Sequence, residues 1–373
     1  MSGKASVDWE AVRAEFPALQ NWTFLNTATF GQLPRRATDA VARHFAHRDE
    51  LACADFLNWY DDMDRLRAKA ARLIGGAPED IAFIPNASSA LSILIDGLVW
   101  HPGDSILTLE HEFPNNLYAP ALVDRLGVER AECPWERFYE SVHERTRLVC
   151  VSSVNYNTGF APPLAEISRF LRERGILFFV DGTQSLGALQ FDVREIQPHM
   201  LAVHGYKWLI SPTGAGFMYV APDLRAHLRP NVLGWRSHRT WRNVDNLHHG
   251  APEFSDAAEK YEAGGLVFDV LYAMEAVIDW ILEIGPSVIE QRVLDLAGKT
   301  RAIVEALGAR VEHQQSQIVA ACFENRDVSA LARALKEKRV LVAARRGRLR
   351  ISPHFYNNDE DLQNLERTLR ALL

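Results

Sequence analysis

The sequence predicts an α/β protein with a large, mostly parallel sheet domain and a small C-terminal α+β domain. Short apolar runs at 81–84, 105–109, 148–151, 176–180 and 217–220 are continuous rather than alternating, as strands buried on both faces require. Helical patterns such as 163–174 separate most of these runs. The 373 residues, 47% hydrophobic and 24% charged, supply enough apolar material for a sizeable core.

Residues 1–10 are polar and lack the apolar segment of a secretory signal. An irregular arm carrying Asn26, Thr27 and Ala28 leads into helical patterns over 34–50 and 60–75, the second marked by Met63, Leu66, Ala70 and Leu73. The strand and helix alternation follows. Between 229 and 265 the pattern dissolves into Trp, Arg, His and Asn and closes on Gly264 and Gly265, which predicts a domain junction. Beyond it helices are expected at 266–284 and 287–308, strands near 317–323, 340–343 and 349–352, and helices at 328–338 and 359–372. The expected division is an arm, 1–30, packing with the small domain; a large domain, 31–265; and a small domain, 266–373.

Forty-one Lys and Arg against 48 Asp and Glu give a net charge of −7, with no bulk positive field for nucleic acid or anionic lipid. No apolar stretch approaches the length of a membrane span, and a cytoplasmic protein is expected. Cys53, Cys133, Cys150 and Cys322 lack the short paired spacings of zinc or redox sites and read as packed thiols. Phosphate-loop, HExxH and GxSxG motifs are absent. His44, His47 and Glu50 follow one another at single helical turns but read as an exposed face, so no metal is expected.

The chemistry concentrates in Phe178-Phe179-Val180-Asp181-Gly182-Thr183-Gln184 and His204-Gly205-Tyr206-Lys207-Trp208. Lys207 stands among Tyr206, Trp208, Leu209 and Ile210, where desolvation would lower its pKa and leave the amine nucleophilic. Alone, it also reads as a lysine snorkelling to the surface, and Asp181 as a turn residue. Together they fit a lysine Schiff base with pyridoxal phosphate, the Asp holding the pyridine nitrogen protonated.

From residue 81 to 220, with further matches at both ends, the chain resembles the aminotransferase class V family of fold-type I pyridoxal-phosphate enzymes, which includes cysteine desulfurases, isopenicillin N epimerase and kynureninase. The resemblance implies pyridoxal 5'-phosphate as cofactor, with Lys207 and Asp181 catalytic. In Asn86-Ala87-Ser88-Ser89-Ala90, the amides of Ala87 and Ser88 and the Ser88 hydroxyl would cup the phosphate at a helix N-terminus; an ordinary N-cap reads equally from the residues. His111 matches the histidine that stacks on the ring. Asn155, in Val154-Asn155-Tyr156-Asn157-Thr158-Gly159, and Gln184 match the partners of the phenolic oxygen, although either residue also suits a turn. His204 and Tyr206 fall where desulfurases have Ser and His on the phosphate.

The terminal segment Arg345-Arg346-Gly347-Arg348-Leu349-Arg350-Ile351-Ser352 resembles the family strand whose arginine binds the substrate α-carboxylate. Alternation puts Arg348 and Arg350 on one face. Arg350, Arg345 and Asn26 are the candidate substrate residues; Arg346 and Arg348 also read as a basic, solvated edge strand. Two departures stand out. Tyr261-Glu262-Ala263-Gly264-Gly265 has glycine where the family often has a phosphate-binding threonine, and Cys322 lies in an apolar strand pattern rather than a loop, which argues against a desulfurase.

The expected activity is that of a pyridoxal-phosphate enzyme acting on an amino acid through an external aldimine and α-proton abstraction, foremost an aminotransferase. A C–S lyase or amino-acid epimerase of the same family is the alternative, and a non-catalytic cofactor-binding or interaction protein the alternative of another class. The expected partners are a small amino-acid substrate and a second copy of the chain, the Trp- and Arg-rich stretch 234–242 suiting a buried contact.

Overall fold

Leu177–Asp181 forms a central strand of a seven-stranded sheet, and its burial shows why a continuous apolar run suits that position. Phe178 and Val180 enter one core while Phe179 enters another on the opposite face, so both faces exclude water. The computed structural model describes residues 7–373; the first six residues of the expected arm lie outside them.

In chain order the strands are β1 (Thr23–Phe24), β2 (Ile81–Phe83), β3 (Ser105–Leu109), β4 (Glu129–Cys133), β5 (Thr146–Ser152), β6 (Leu177–Asp181), β7 (Met200–His204), β8 (Gly216–Val220), β9 (Arg310–Val311), β10 (Val319–Cys322), β11 (Val340–Leu341), β12 (Ala343–Arg345) and β13 (Arg348–Ile351). The large sheet has the order β2-β8-β7-β6-β5-β3-β4. Only β8 runs against the others, antiparallel to both β7 and β2. Hydrophobic pattern carries no strand direction, so its reversal could not be read beforehand.

The longer helices are α1 (Arg35–Leu51), α2 (Phe56–Ile74), α3 (Ala87–Gly97), α4 (Leu164–Arg172), α5 (Phe268–Ile284), α6 (Pro286–Ala306), α7 (Val328–Glu337) and α8 (Asp359–Leu372). Met63, Leu66 and Ala70 of α2, Ile167 and Leu171 of α4, and Leu271, Val277 and Ile278 of α5 pack on one face of the large sheet. Ala90, Leu91, Leu94 and Ile95 of α3 pack on the other. Each fully buried Leu, Ile, Phe or Met side chain contributes about 1.5–3 kcal/mol relative to exposure.

His44 is a correction. It is buried, 6% exposed, with its ring 5.0 Å from Trp59 and 4.9 Å from Tyr272. The covering residue comes from α5, which the sequence of α1 cannot announce. His47 is exposed and meets Asp55 at 2.7 Å. Among the described residues no group of three or more His, Cys, Asp or Glu could hold a metal, and no helix is long and apolar enough to cross a membrane.

The order β12-β13-β10-β9 forms a second, antiparallel sheet with its own core, which includes Leu296, Leu335, Leu349, Leu365 and Leu25 of the arm. β1 pairs in parallel with β11, and Leu25 accepts from the Ser352 amide at 2.8 Å. The arm then crosses to the large sheet, where the Gly31 amide donates to the Tyr206 carbonyl at 2.8 Å. A Cβ on Gly31 would stand 1.9 Å from the Lys207 carbonyl oxygen, so only glycine lets the backbones approach this closely.

Gly31→Ala should therefore destabilise the protein by about 1–3 kcal/mol, as overpacking against backbone does, and lower the urea midpoint. Gly298→Ala, in α6 with nothing within 4 Å, is the control and should be neutral or slightly stabilising. An unchanged midpoint for Gly31→Ala would mean that the arm moves aside freely.

Candidate active site

Neighbouring parallel strands of the large sheet end side by side, the position at which open α/β sheets leave room for a ligand. β3 leads into His111, β5 into Asn155, β6 ends on Asp181, and β7 ends on His204, three residues before Lys207.

Lys207 is buried, and its Nζ makes no hydrogen bond within the described chain; the rings of Phe113 and Tyr206 lie 5.3 Å away. Burial pushes the amine down to about 8; Asp181 opposes the shift, and the charges of Arg350 and Arg345 add to it. Asp181 is raised above the ordinary carboxylate range by burial, against the Thr183 hydrogen bond and the charge of Lys207. Its Oδ1 accepts from the Thr183 amide at 2.9 Å, and its other oxygen has no partner among the described residues. His204 is pushed down to about 4 by burial and then by Lys207, so it is neutral near pH 7; its buried Nε2 has no partner among the described residues. Its ring lies 4.2 Å from that of Tyr206.

Gln184 spans two segments. Its Nε2 donates to the Ala28 carbonyl at 3.1 Å and its Oε1 accepts from Trp208 Nε1 at 2.8 Å, tying the arm to the lysine loop. Asn155 closes a turn: Oδ1 accepts from the amides of Asn157 and Thr158, and Nδ2 donates to the His111 carbonyl at 3.0 Å, leaving one N–H. His111 sits at φ +64°, unusual for a residue with a Cβ, and its Nδ1 accepts from Arg346 at 2.8 Å.

At the start of α3, Asn86 caps the Ser89 amide at 2.9 Å, while the amides of Ala87 and Ser88 have no partner among the described residues. The Ser88 hydroxyl is engaged, donating to Asn115 Oδ1 at 2.8 Å.

Arg350 is 1% exposed and faces no carboxylate within the described chain. Nη1 donates to the Tyr156 carbonyl at 2.6 Å, Nη2 to Thr29 Oγ1 at 2.5 Å, and Nε has no partner among the described residues. Thr29 Oγ1 in turn donates to Asn26 Oδ1 at 2.8 Å, so Asn26 joins the site through that chain. Burial and Arg345 push Arg350 down to about 9, which still leaves the guanidinium charged at neutral pH. The solvated-edge expectation is corrected here. β13 lies inside its sheet, between β12 and β10, and Arg346 reaches His111 rather than only water; Arg348 pairs with Glu312 at 3.0 Å.

One participant escaped the sequence reading. Glu112, 2% exposed, accepts from the Ser152 amide and hydroxyl, Asn116 Nδ2 and the Phe113 amide. Burial raises it to about 7, opposed by the Ser152 hydrogen bonds, with the charge of Asp181 adding to the rise. Its signal, an acid three residues past a strand, is too common to stand out.

The family model for aminotransferase class V matches residues 32–365. An uncharacterised aminotransferase, YcbU, of Bacillus subtilis is 27% identical over 95% of each chain. Isopenicillin N epimerase of Streptomyces clavuligerus is 28% identical over 99% of each. A solved structure of a C-DES mutant with glycine covalently linked to the PLP cofactor superposes with a TM-score of 0.89 at 23% identity, covering 96% of this chain and 98% of that one, and shares the fold.

Because only the neutral amine reacts, acetylation of Lys207 in the ligand-free protein should rise with pH through a midpoint near 8, while exposed lysines respond near 10.4. Arg350→Met removes a cation that disfavours the protonated amine and should raise the midpoint; Asp181→Asn removes the opposing anion and should lower it. Competitive labelling with peptide mapping reads all three. A wild-type midpoint above 10 would contradict the burial seen here.

Proposed function

The chain belongs to the aminotransferase class V family, and from that premise we propose that it is a pyridoxal 5'-phosphate-dependent aminotransferase acting on an amino acid. The observation that carries the proposal is the buried, unpartnered amine of Lys207 with its depressed basicity, beside a buried carboxylate. Such an amine is partly neutral at physiological pH and nucleophilic.

Support for the fit of the cofactor comes from groups that find no partner among the described residues. The free amides of Ala87 and Ser88 at the positive end of α3 suit a phosphate. The unpartnered oxygen of Asp181 suits a protonated ring nitrogen, and the orphaned Nε2 of His204, with Tyr206 beside it, suits a polar ligand atom. When bound, pyridoxal phosphate supplies an aldehyde carbon and an electron-withdrawing ring.

Asp181 would keep a ring nitrogen protonated, and His111 would stack on the ring. Asn155 offers its remaining N–H, while Gln184 acts mainly by locking the Lys207 loop in place. Lys207 takes the substrate α-proton as a base and returns it as an acid, and Arg350 holds the α-carboxylate with Arg345 and Asn26 beside it. Amino transfer needs only this one proton carrier, whereas epimerisation needs access to the opposite face as well. A desulfurase needs a mobile thiol, and Cys322 is the last residue of β10, paired with Arg310. We take the working form to be a cytoplasmic homodimer, because Val232, Leu233 and Trp235 expose apolar surface in the irregular stretch and all four cysteines are free.

Incubation of the cofactor-loaded protein with amino acids and a keto-acid acceptor should yield keto acid from the donor and amino acid from the acceptor. Asp181→Asn should slow this by about a thousandfold, on the order of 4 kcal/mol of barrier. Cys322→Ser should leave it within about twofold. Sulfide as the product, abolished in Cys322→Ser, would replace amino transfer with desulfuration; an inverted α-carbon without keto acid would make the protein an epimerase.

A further inference from the structure

The hairpin of β12 and β13 carries more positive charge than one α-carboxylate requires. Of its four arginines only Arg348 meets a carboxylate among the described residues, Glu312 at 3.0 Å. Arg350 is fully buried with an unpartnered Nε. Arg345 bonds only the adjacent carbonyl of Ala344, at 2.9 Å, and Arg346 bonds only His111 Nδ1, at 2.8 Å. In the hairpin register Arg345 lies opposite Arg348 and Ala343 opposite Arg350, which puts Arg345, Arg348 and Arg350 on one face. The charge of Arg345 depresses both Lys207 and Arg350, so it belongs to the same pocket.

The turn adds a second observation. Arg346 and Gly347 have φ of +43° and +77°, the tight hairpin turn that favours Asn-Gly. Arginine holds this strained backbone while touching His111, itself at φ +64°, and such strain gathers where a ligand is bound. Arg345, Arg346 and Arg350 thus meet no carboxylate among the described residues, and the two buried acids of the site are committed elsewhere. Glu112 is saturated by donors from its own chain, and Asp181 is committed to the ring nitrogen in the proposed function. One α-carboxylate on Arg350 leaves two guanidinium groups without an anion.

We propose that Arg345, with Arg346 at the hairpin tip, binds a second anionic group of the substrate, so that the preferred substrate is an amino acid whose side chain ends in a carboxylate. The assignment rests on the aminotransferase function proposed above. A guanidinium presents parallel donors that match a carboxylate and have no equivalent match in a side-chain amide.

The test is a titration of the cofactor-loaded protein with L-aspartate, L-glutamate, L-asparagine, L-glutamine and L-alanine, followed by the change in the cofactor absorbance band. Calorimetric titration with glutarate and butyrate gives a readout independent of turnover. An acidic amino acid should bind about 10- to 100-fold more tightly than its amide, and glutarate more tightly than butyrate. Arg345→Gln should abolish the preference of acid over amide, read as the ratio of the two affinities within the variant, and Arg348→Gln should preserve it. A matching thermal unfolding curve shows that a variant is folded, and Arg345→Met provides a second substitution of the same charge. Equal or tighter binding of the amides, or a preference that survives in Arg345→Gln and in the Arg345→Gln/Arg346→Gln double variant, overturns the inference. If L-alanine and the amides change the band as strongly as the acids, the inference fails and the amino-acid function stands; if no amino acid changes it, that function fails and takes the inference with it.

Discussion

Burying the Lys207 amine near Asp181 without a direct ion pair is the constraint around which this part of the molecule is arranged. Depressing a lysine to about 8 disfavours its charged form by on the order of 3 kcal/mol, and the loop adds strain at Ile210, a β-branched residue at φ +39°. Packing offsets both. Trp208, Leu209 and Ile210 are 0%, 1% and 0% exposed, and each contributes about 1.5–3 kcal/mol relative to exposure. Three neighbouring side chains therefore outweigh one uncomfortable amine, and the loop is held in place around it.

Three parts of the chain lock that loop. The segment just after the arm supplies the Gly31 amide to Tyr206, and Gln184 bridges Ala28 of the arm and Trp208. The C-terminal segment supplies His354, whose Nε2 meets the Trp208 carbonyl at 2.8 Å. Burial pushes His354 down to about 3, so it is neutral; its Nδ1 accepts from the Phe355 amide, and the single ring proton lies on Nε2, donating to Trp208. Arg350 arrives on an interior strand of the second sheet and completes the same pocket. Arm, large sheet and second sheet meet at one residue, which is how distant sequence segments become a single site.

Much of this was legible in the sequence where one physical signal dominated. Continuous apolar runs announced β3 and β6, and the pairing of a strand-end acid with a lysine in apolar surroundings announced Asp181 and Lys207. β4 was invisible because Glu-Arg-Ala-Glu-Cys at a sheet edge needs no apolar face. The start of α2 at Phe56 rather than near 60, and the burial of His44, depend on tertiary partners. Likewise the resemblance implied that Gln184 and Asn155 meet the cofactor, and the sequence did not reveal that both side chains work as struts within the chain. Arg346 looked like surface charge because its target, His111, lies 235 residues away along the chain.

Borohydride reduction of the cofactor-loaded protein followed by peptide mapping tests the central claim most directly, because it asks which amine holds the aldehyde. A single pyridoxyl group on Lys207, absent in a folded Lys207→Ala variant, is the expected result. A label on another lysine of the wild-type protein, or full labelling of Lys207→Ala, would contradict the assignment of the buried amine as the functional centre.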